Sequence, residues 1–264
     1  MKKTKAENIT SAAADIVRAA AGRKKYKRTT AVILAAGNSC RMKGKDKQFL
    51  TVCGMPVLAR SIRAFENSPC IRDIVVVTRE DRIRDVITLC EKYGFRKVYA
   101  VVAGGETRQT SAWLGFRQVS DKTEFVAFHD GARCLVDPDD IERVCLAAYE
   151  FGAATAAAAA TDTVKKATSG GFIEGSEDRN FIWLAQTPQV FGTNLYRASG
   201  YTAREADFFA TDDCSLAERI GFKGIKLVET GRQNIKITTP DDVFLAEALI
   251  SAENRAQENK NADR

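Results

Sequence analysis

Short runs rich in β-branched and aromatic residues alternate with helix-patterned segments through the middle of this 264-residue chain, and that alternation restricts the possible folds most strongly. The β-rich runs are "AVILAA" (31–36), "DIVVVT" (73–78), "KVYAVV" (97–102) and "EFVAFHD" (124–130). Between them lie "PVLARSIRAFEN", "REDRIRDVITLCEKYG" and "TRQTSAWLGFRQV". The second of these puts Ile83, Val86, Ile87 and Cys90 on one helical face and stops at Gly94. Thr107 is placed to cap the third. Strands and helices that alternate with short connections require an α/β fold, a mainly parallel sheet with helices on both faces. In such sheets ligands sit beyond the carboxyl ends of the strands.

The first strand leaves one such end. After Ala35, Ala36 and Gly37 the chain reads "NSCRMKGKDKQF", with Arg41, Lys43, Lys45 and Lys47 at every second position. The stretch is neither G-x-x-x-x-G-K-[ST] nor G-x-G-x-x-G, so it is not a P-loop or a dinucleotide fingerprint. A glycine turn with free backbone N–H groups, followed by cations, suits a polyphosphate. A solvated lysine-rich loop is the competing reading, and it is the better one for Lys43 and Lys45.

Charge and composition narrow the class of protein. Residues 1–29 hold nine Lys/Arg and two acids, leaving 31 basic and 32 acidic residues for the rest of the chain. The excess positive charge therefore belongs to an N-terminal extension, read as flexible, and a nucleic-acid-binding domain is not indicated. Residues 251–264 read as a polar C-terminal tail that frays. No stretch approaches the ~18 apolar residues of a membrane span. The seven scattered cysteines, with no CxxC pair, fit reduced thiols in a cytoplasm. With His129 the only histidine, a multi-histidine zinc site is excluded.

Seven motifs occur in one order: "AAGNSCRM…DKQF", "GGETRQTS", "HDGAR", "DTVK", "DRN…TPQVF", "TDD" and "NIKITTPDD". Together they span residues 30–250 and resemble the 2-C-methyl-D-erythritol 4-phosphate cytidylyltransferase family. The resemblance implies a Rossmann-like cytoplasmic enzyme of isoprenoid synthesis that forms a CDP-alcohol and pyrophosphate from CTP and the polyol phosphate. It also implies Mg²⁺ held mainly by the CTP phosphates, and a homodimer. Ribitol-5-phosphate cytidylyltransferases share most of these motifs and form the alternative substrate reading. A non-catalytic nucleotide-binding module is a further alternative, but it would be expected to lose the loop cations.

By the same resemblance, Arg41, Lys47, Arg179 and Lys236 stabilise the charge that develops during transfer. Ala35, Ala36, Gly37, Gly105, Glu106, Ser111 and Asp130 are the expected CTP contacts. Glu106 stands where the family commonly has aspartate. Asp130, Gly131, Arg133, Thr163, Arg179, Thr187, Thr211 and Lys236 are the expected contacts to the polyol phosphate. Asp130 is also a candidate for hydrated Mg²⁺, and an Asp130–Arg133 ion pair is the structural alternative. Cys134 replaces the family's proline, and the neighbouring cations Arg41 and Arg133 lead us to expect reactive thiols at Cys40 and Cys134.

The alanine-rich stretch 151–160 favours helix by intrinsic propensity, whereas the family places a central strand here. We expect the strand. The resemblance implies that it leads into a protruding β-arm, about 163–186, with "SGGFIEG" as its tip and a second subunit as its partner.

Overall fold

The computed structural model describes residues 26–37, Met42 and residues 46–262. The expected flexible extension falls almost wholly outside these residues, as do Cys40, Arg41, Lys43 and Lys45. Strands are β1 (Thr29–Leu34), β2 (Thr51–Val52), β3 (Met55–Pro56), β4 (Ile71–Thr78), β5 (Val98–Ala103), β6 (Phe125–Asp130), β7 (Ala153–Ala159), β8 (Lys165–Ala167), β9 (Ile173–Ser176), β10 (Trp183–Gly192) and β11 (Ile225–Glu229). Helices are α1 (Val57–Asn67), α2 (Ile83–Tyr93), α3 (Arg108–Phe116), α4 (Pro138–Phe151), α5 (Thr193–Glu205), α6 (Asp213–Arg219) and α7 (Pro240–Ala262).

Seven strands form the main sheet in the order β11-β7-β10-β6-β1-β4-β5. All neighbouring pairs are parallel except those of β10, which runs antiparallel to β6 and β7. Strand alternation decides what each residue covers. Ala31, Ile33, Ile74, Val76 and Ala127 point into one apolar layer, closed by α1, α2 and α4. Val32, Leu34, Val75, Val77, Val126 and Phe128 point into the other, closed by α3, α5 and α6. Both faces are covered, so the central strands are apolar on both sides.

The alanine-rich segment is strand β7, flanked by β10 and β11. Ala154 and Ala156 lie in one apolar layer and Ala153 in the other. Burial on both sides between hydrogen-bonded neighbours outweighs a helix preference that amounts to less than about 1 kcal/mol per residue. Gly94 ends α2 in the left-handed conformation, φ 66°, as expected. One residue of that helix departs from expectation: Ile87 is 42% exposed, and Leu89 joins Val86 and Cys90 inside. A helix resting on a sheet buries a narrow stripe, and position 87 falls on its margin.

The C-terminal segment also differs. Residues 251–262, expected as a fraying tail, continue helix α7. Its first half docks through Ala246 and Ile250 onto a small cluster containing Val52, Val57, Cys134 and Ile237. Apart from the main sheet, β8 and β9 pair as an antiparallel hairpin made of exposed residues.

Small side chains in β7 allow helix α4 to lie close to the sheet. Replacing Ala156 by Leu inserts three carbons where none fits and should cost about 1–3 kcal/mol. Chemical denaturation would read this as a lower midpoint with an unchanged slope. A midpoint equal to that of the parent would mean this layer has room to spare.

Candidate active site

Three loops meet beyond the carboxyl ends of β1, β5 and β6. Each is tied to a neighbouring strand end: Ala35 N–H donates to Val77 O (2.6 Å), Gly104 N–H to Thr78 O (2.7 Å) and Gly131 N–H to Leu34 O (2.8 Å). With the helical turn at 47–49 and the segment before α7, they enclose a cleft of about 480 Å³. Ala36, Gly37, Gly105, Glu106 and Ser111 line it, as do Lys47, Asp130 and Lys236. A side chain on Gly104 would collide with Ala36 Cβ and come within 2.7 Å of Ser111 Oγ, so glycine is what lets the two loops close. Ser111 Oγ then accepts from Gly105 N–H (3.1 Å), and Thr107 caps α3 by accepting from Thr110 N–H (3.0 Å).

Asp130 is the charged hub of this cleft. Lys236 Nζ lies 2.7 Å from its Oδ2, and Arg108 Nε lies 3.1 Å from its Oδ1. Burial alone would raise its pKa, but Arg108, Lys236 and Arg133 bring it well below the usual carboxylate range. Lys236 in turn sits beside Ile237, whose carbonyl accepts from Lys47 Nζ at 3.1 Å. Two of the expected cations, from segments 190 residues apart, thus converge on one lip of the cleft.

Arg108 is the principal residue that sequence reasoning missed. Its other edge donates to Asp213 Oδ2 at 2.7 Å, and Asp213 Oδ1 accepts from Tyr196 OH at 3.1 Å. Asp213 is fully buried. Burial pushes its pKa above the ordinary value despite Arg108 and Tyr196, while the two carboxylates outweigh burial at Arg108 and hold it firmly charged. A signal was available: an arginine in the first turn of a helix opposes the helix dipole, so its presence there calls for carboxylate partners. "GGETRQTS" and the second Asp of "TDD" supply the pair. Gln48 and Arg79 also line the cleft and were not singled out.

Other expected contacts fall elsewhere. Ala35 is buried just behind the cleft lining. Arg133, expected at the polyol phosphate, donates to Asn234 O at 2.7 Å, and its Nε lies 3.8 Å from Asp130 Oδ2, so the alternative ion pair is present but long. Gly131 has both backbone groups engaged, its N–H with Leu34 O and its carbonyl with Ser61 Oγ (2.9 Å). Thr187 is buried; its Oγ1 lies 3.1 Å from Asp130 N and 3.0 Å from His129 Nδ1. Thr211 is exposed and does not line the cleft. Thr163 and Arg179 flank the β8–β9 hairpin, Arg179 Nη1 donates to Thr161 O at 2.7 Å, and neither residue lines this cleft.

The thiol expectation is corrected at Cys134. Its side chain packs inward at the α7 cluster, away from Arg133, and burial pushes its pKa up to about 11. Cys53 is the exposed thiol among the described residues. No group of three His, Cys, Asp or Glu side chains among the described residues could hold a metal ion, and Asp130 has one oxygen against Arg108 and the other against Lys236. The described residues therefore do not form a protein cage for Mg²⁺.

Asp213→Ala would leave Arg108 half-buried with one carboxylate and Tyr196 without its acceptor. Breaking a buried pair in this way should cost about 3–5 kcal/mol. Denaturant titration of the variant would show it, and a loss below about 1 kcal/mol would place the pair in effectively open solvent.

Comparison with known proteins identifies the lineage. The family model described as 2-C-methyl-D-erythritol 4-phosphate cytidylyltransferase (IspD) matches residues 29–252. A protein of that name from Pelotomaculum thermopropionicum is 41% identical over 229 residues, covering 85% of this chain and 95% of the relative. Another from Caldanaerobacter subterraneus is 43% identical over 223 residues, covering 84% and 98%. Among solved structures, 4-diphosphocytidyl-2C-methyl-D-erythritol synthase from Anaerococcus prevotii superposes with TM-score 0.77 at 28% identity, covering 85% of this chain and 96% of that one. The Thermus thermophilus enzyme, titled 2-C-methyl-D-erythritol 4-phosphate cytidylyltransferase, gives 0.67 at 30% identity, covering 84% and 98%. On its sequence, its sheet and the seven motifs in order, this chain belongs to the 2-C-methyl-D-erythritol 4-phosphate cytidylyltransferase family.

Proposed function

We propose that the protein transfers CMP from CTP to 2-C-methyl-D-erythritol 4-phosphate, releasing pyrophosphate. The observation that carries this reading is the convergence of Lys47 and Lys236 on a glycine-walled cleft at the strand ends. A phosphate oxygen of the polyol attacks the α-phosphorus of CTP, a new P–O bond forms, and the bond to the departing pyrophosphate breaks. Such a step needs in-line positioning and charge stabilisation rather than a protein nucleophile. Lys47 and Lys236 supply fixed positive charge on one side, and Arg41 is proposed to join them from the loop after Gly37.

The cytosine is read by Ala36, Gly37, Gly105 and Ser111, with Glu106 toward the ribose. Two alanine-sized or smaller walls let backbone groups approach the base edge. Mg²⁺ enters with the triphosphate as part of the substrate, since it keeps much of its coordination on phosphate and water. Methylerythritol phosphate is preferred to ribitol phosphate because the relatives carry the former name across nearly the whole chain.

Thr163 and Arg179 fit a site completed across a dimer. The arm exposes Phe172 (76%) and Phe181 (81%), and a lone two-stranded hairpin gains little from its own chain. A second copy that covers these rings would bring Arg179 to the neighbouring cleft. Among the described residues no helix is long and apolar enough to cross a membrane. The scattered cysteines, with no CxxC pair, support a cytoplasmic location for the enzyme.

The direct experiment mixes protein, CTP, Mg²⁺ and either methylerythritol phosphate or ribitol 5-phosphate and measures pyrophosphate. Release with the first alone is expected, and release with neither would sink the reading. Lys47→Ala should lower turnover about 10²–10³-fold, the scale for one preorganised stabilising group, with little change in folding. Near-parental turnover would take Lys47 out of the mechanism. Arg179→Ala should raise the KM for the polyol phosphate while calorimetry shows CTP affinity intact. A large loss of CTP affinity would assign Arg179 to the nucleotide.

A further inference from the structure

The chain's one histidine, His129, precedes Asp130 and is fully buried against Phe65, ring centroids 4.8 Å apart. The transfer chemistry above does not use it. Its two ring nitrogens nevertheless each have a partner: Nε2 lies 3.1 Å from Arg133 O, and Nδ1 lies 3.0 Å from Thr187 Oγ1. Thr187 Oγ1 has a third neighbour, Asp130 N, at 3.1 Å.

These partners determine where each proton sits. A carbonyl only accepts, so Nε2 must carry the hydrogen it gives to Arg133 O. In a neutral ring Nδ1 is then bare and must accept. The hydroxyl of Thr187 must therefore donate to Nδ1, and its lone pair accepts from Asp130 N–H. Complete burial keeps the ring neutral and pushes its pKa down to about 3; Asp130 and the hydrogen bond to the Arg133 carbonyl oppose that shift, while the charges of Arg133 and Arg108 add to it. The result is a directed chain, Asp130 N–H to Thr187, Thr187 O–H to His129, and His129 Nε2–H to Arg133 O.

The chain joins a turn whose other backbone bonds run to the turn itself and to neighbouring segments. Arg133 N–H donates to Asp130 O (2.9 Å), Gly131 N–H to Leu34 O (2.8 Å) and Ile237 N–H to Ala132 O (2.9 Å). Without Thr187 and His129, the amide of Asp130 and the carbonyl of Arg133 would lose these partners. Those are the two ends of the segment that aims the Asp130 carboxylate between Arg108 and Lys236.

We propose that His129, held as the Nε2–H tautomer by Thr187, is a positioning residue that fixes Asp130 and, through it, Lys236 for nucleotidyl transfer. Thr187 acts in this chain as a link, and with its proton given to His129 it has none to offer a phosphate. The part of this proposal that concerns catalysis rests on the function proposed above.

A protein with a single histidine allows a clean test. Histidine labelled with ¹⁵N gives one imidazole, and its proton-coupled spectrum distinguishes the two tautomers. The expected spectrum shows a protonated Nε2 and a bare Nδ1, unchanged down to pH ~5 because the ring titrates only near its depressed value. Thr187→Ser keeps the hydroxyl and should keep both this spectrum and most of the activity. Thr187→Val removes the link and should lower kcat/KM about 10- to 100-fold, the scale for groups that orient a site residue from behind. A proton on Nδ1, a charged ring at neutral pH, or equal activity of the Ser and Val variants would overturn the proposal. Should the Val variant fail to fold, the spectra of the parent and the Ser variant decide the matter by themselves. A parent that releases no pyrophosphate, yet shows the expected tautomer, would sink the functional reading and leave the proton order standing.

Discussion

A carboxylate at the end of a central strand organises this molecule's cleft. Asp130 leaves β6 at the point where β1, β4 and β5 also end, and its oxygens hold Lys236 at 2.7 Å and Arg108 at 3.1 Å. Each of those cations carries a further tether. Arg108 is held from behind by Asp213 and Tyr196, and Lys236 lies beside the Ile237 carbonyl that receives Lys47. Removing the charge of Asp130 would therefore loosen groups from α3, from the segment before α7 and from the turn at 47–49 together. Cations fixed in advance cost little reorganisation when negative charge develops, which is where such sites gain their rate.

That arrangement carries an electrostatic cost of its own. Asp130 screens the cations it positions, and burying both Asp130 and Asp213 takes two carboxylates out of water. Arg108 bridges the two, so each carboxylate has a charged partner within 3.1 Å. A phosphate-binding cleft could be more positive without Asp130, but its cations would then sit on flexible side chains at uncertain distances. The structure favours placement over net charge.

Much of this was legible in the sequence, for reasons that differ between elements. The alternation of β-rich and helical runs reports burial directly, because two-sided burial of a parallel sheet leaves no polar positions to confuse the pattern. Strand β7 was legible only with the family in view, since alanine's own preference points the other way. Arg108 and Asp213 stood in quoted motifs and were passed over because their meaning lies in each other, 105 residues apart. Ile87 and Cys134 were misjudged for a common reason: neighbours in sequence do not settle which way a side chain faces. Beside Arg133 in sequence, Cys134 faces an apolar cluster, and burial rather than charge sets its thiol.

The backbone of the Asp130 turn shows how far satisfaction of polar groups can constrain a site. Buried N–H and C=O groups without partners cost about 1–3 kcal/mol each, so a tight turn inside the protein needs an acceptor or donor for every one. The end of β1, through Leu34 O, and the segment before α7, through Ile237 N–H, serve two of them here, and Ser61 Oγ serves the Gly131 carbonyl. The ends of the turn fall outside the ladder, and side chains must serve them. A group that accepts on one edge and donates on the other can span from Thr187 to the Arg133 carbonyl, and the neutral imidazole of His129 does so. The same ring carries no charge into the core and fills the space beside Phe65. Histidine at position 129 is thus explained by hydrogen-bond geometry and burial, without any demand for proton transfer in the reaction.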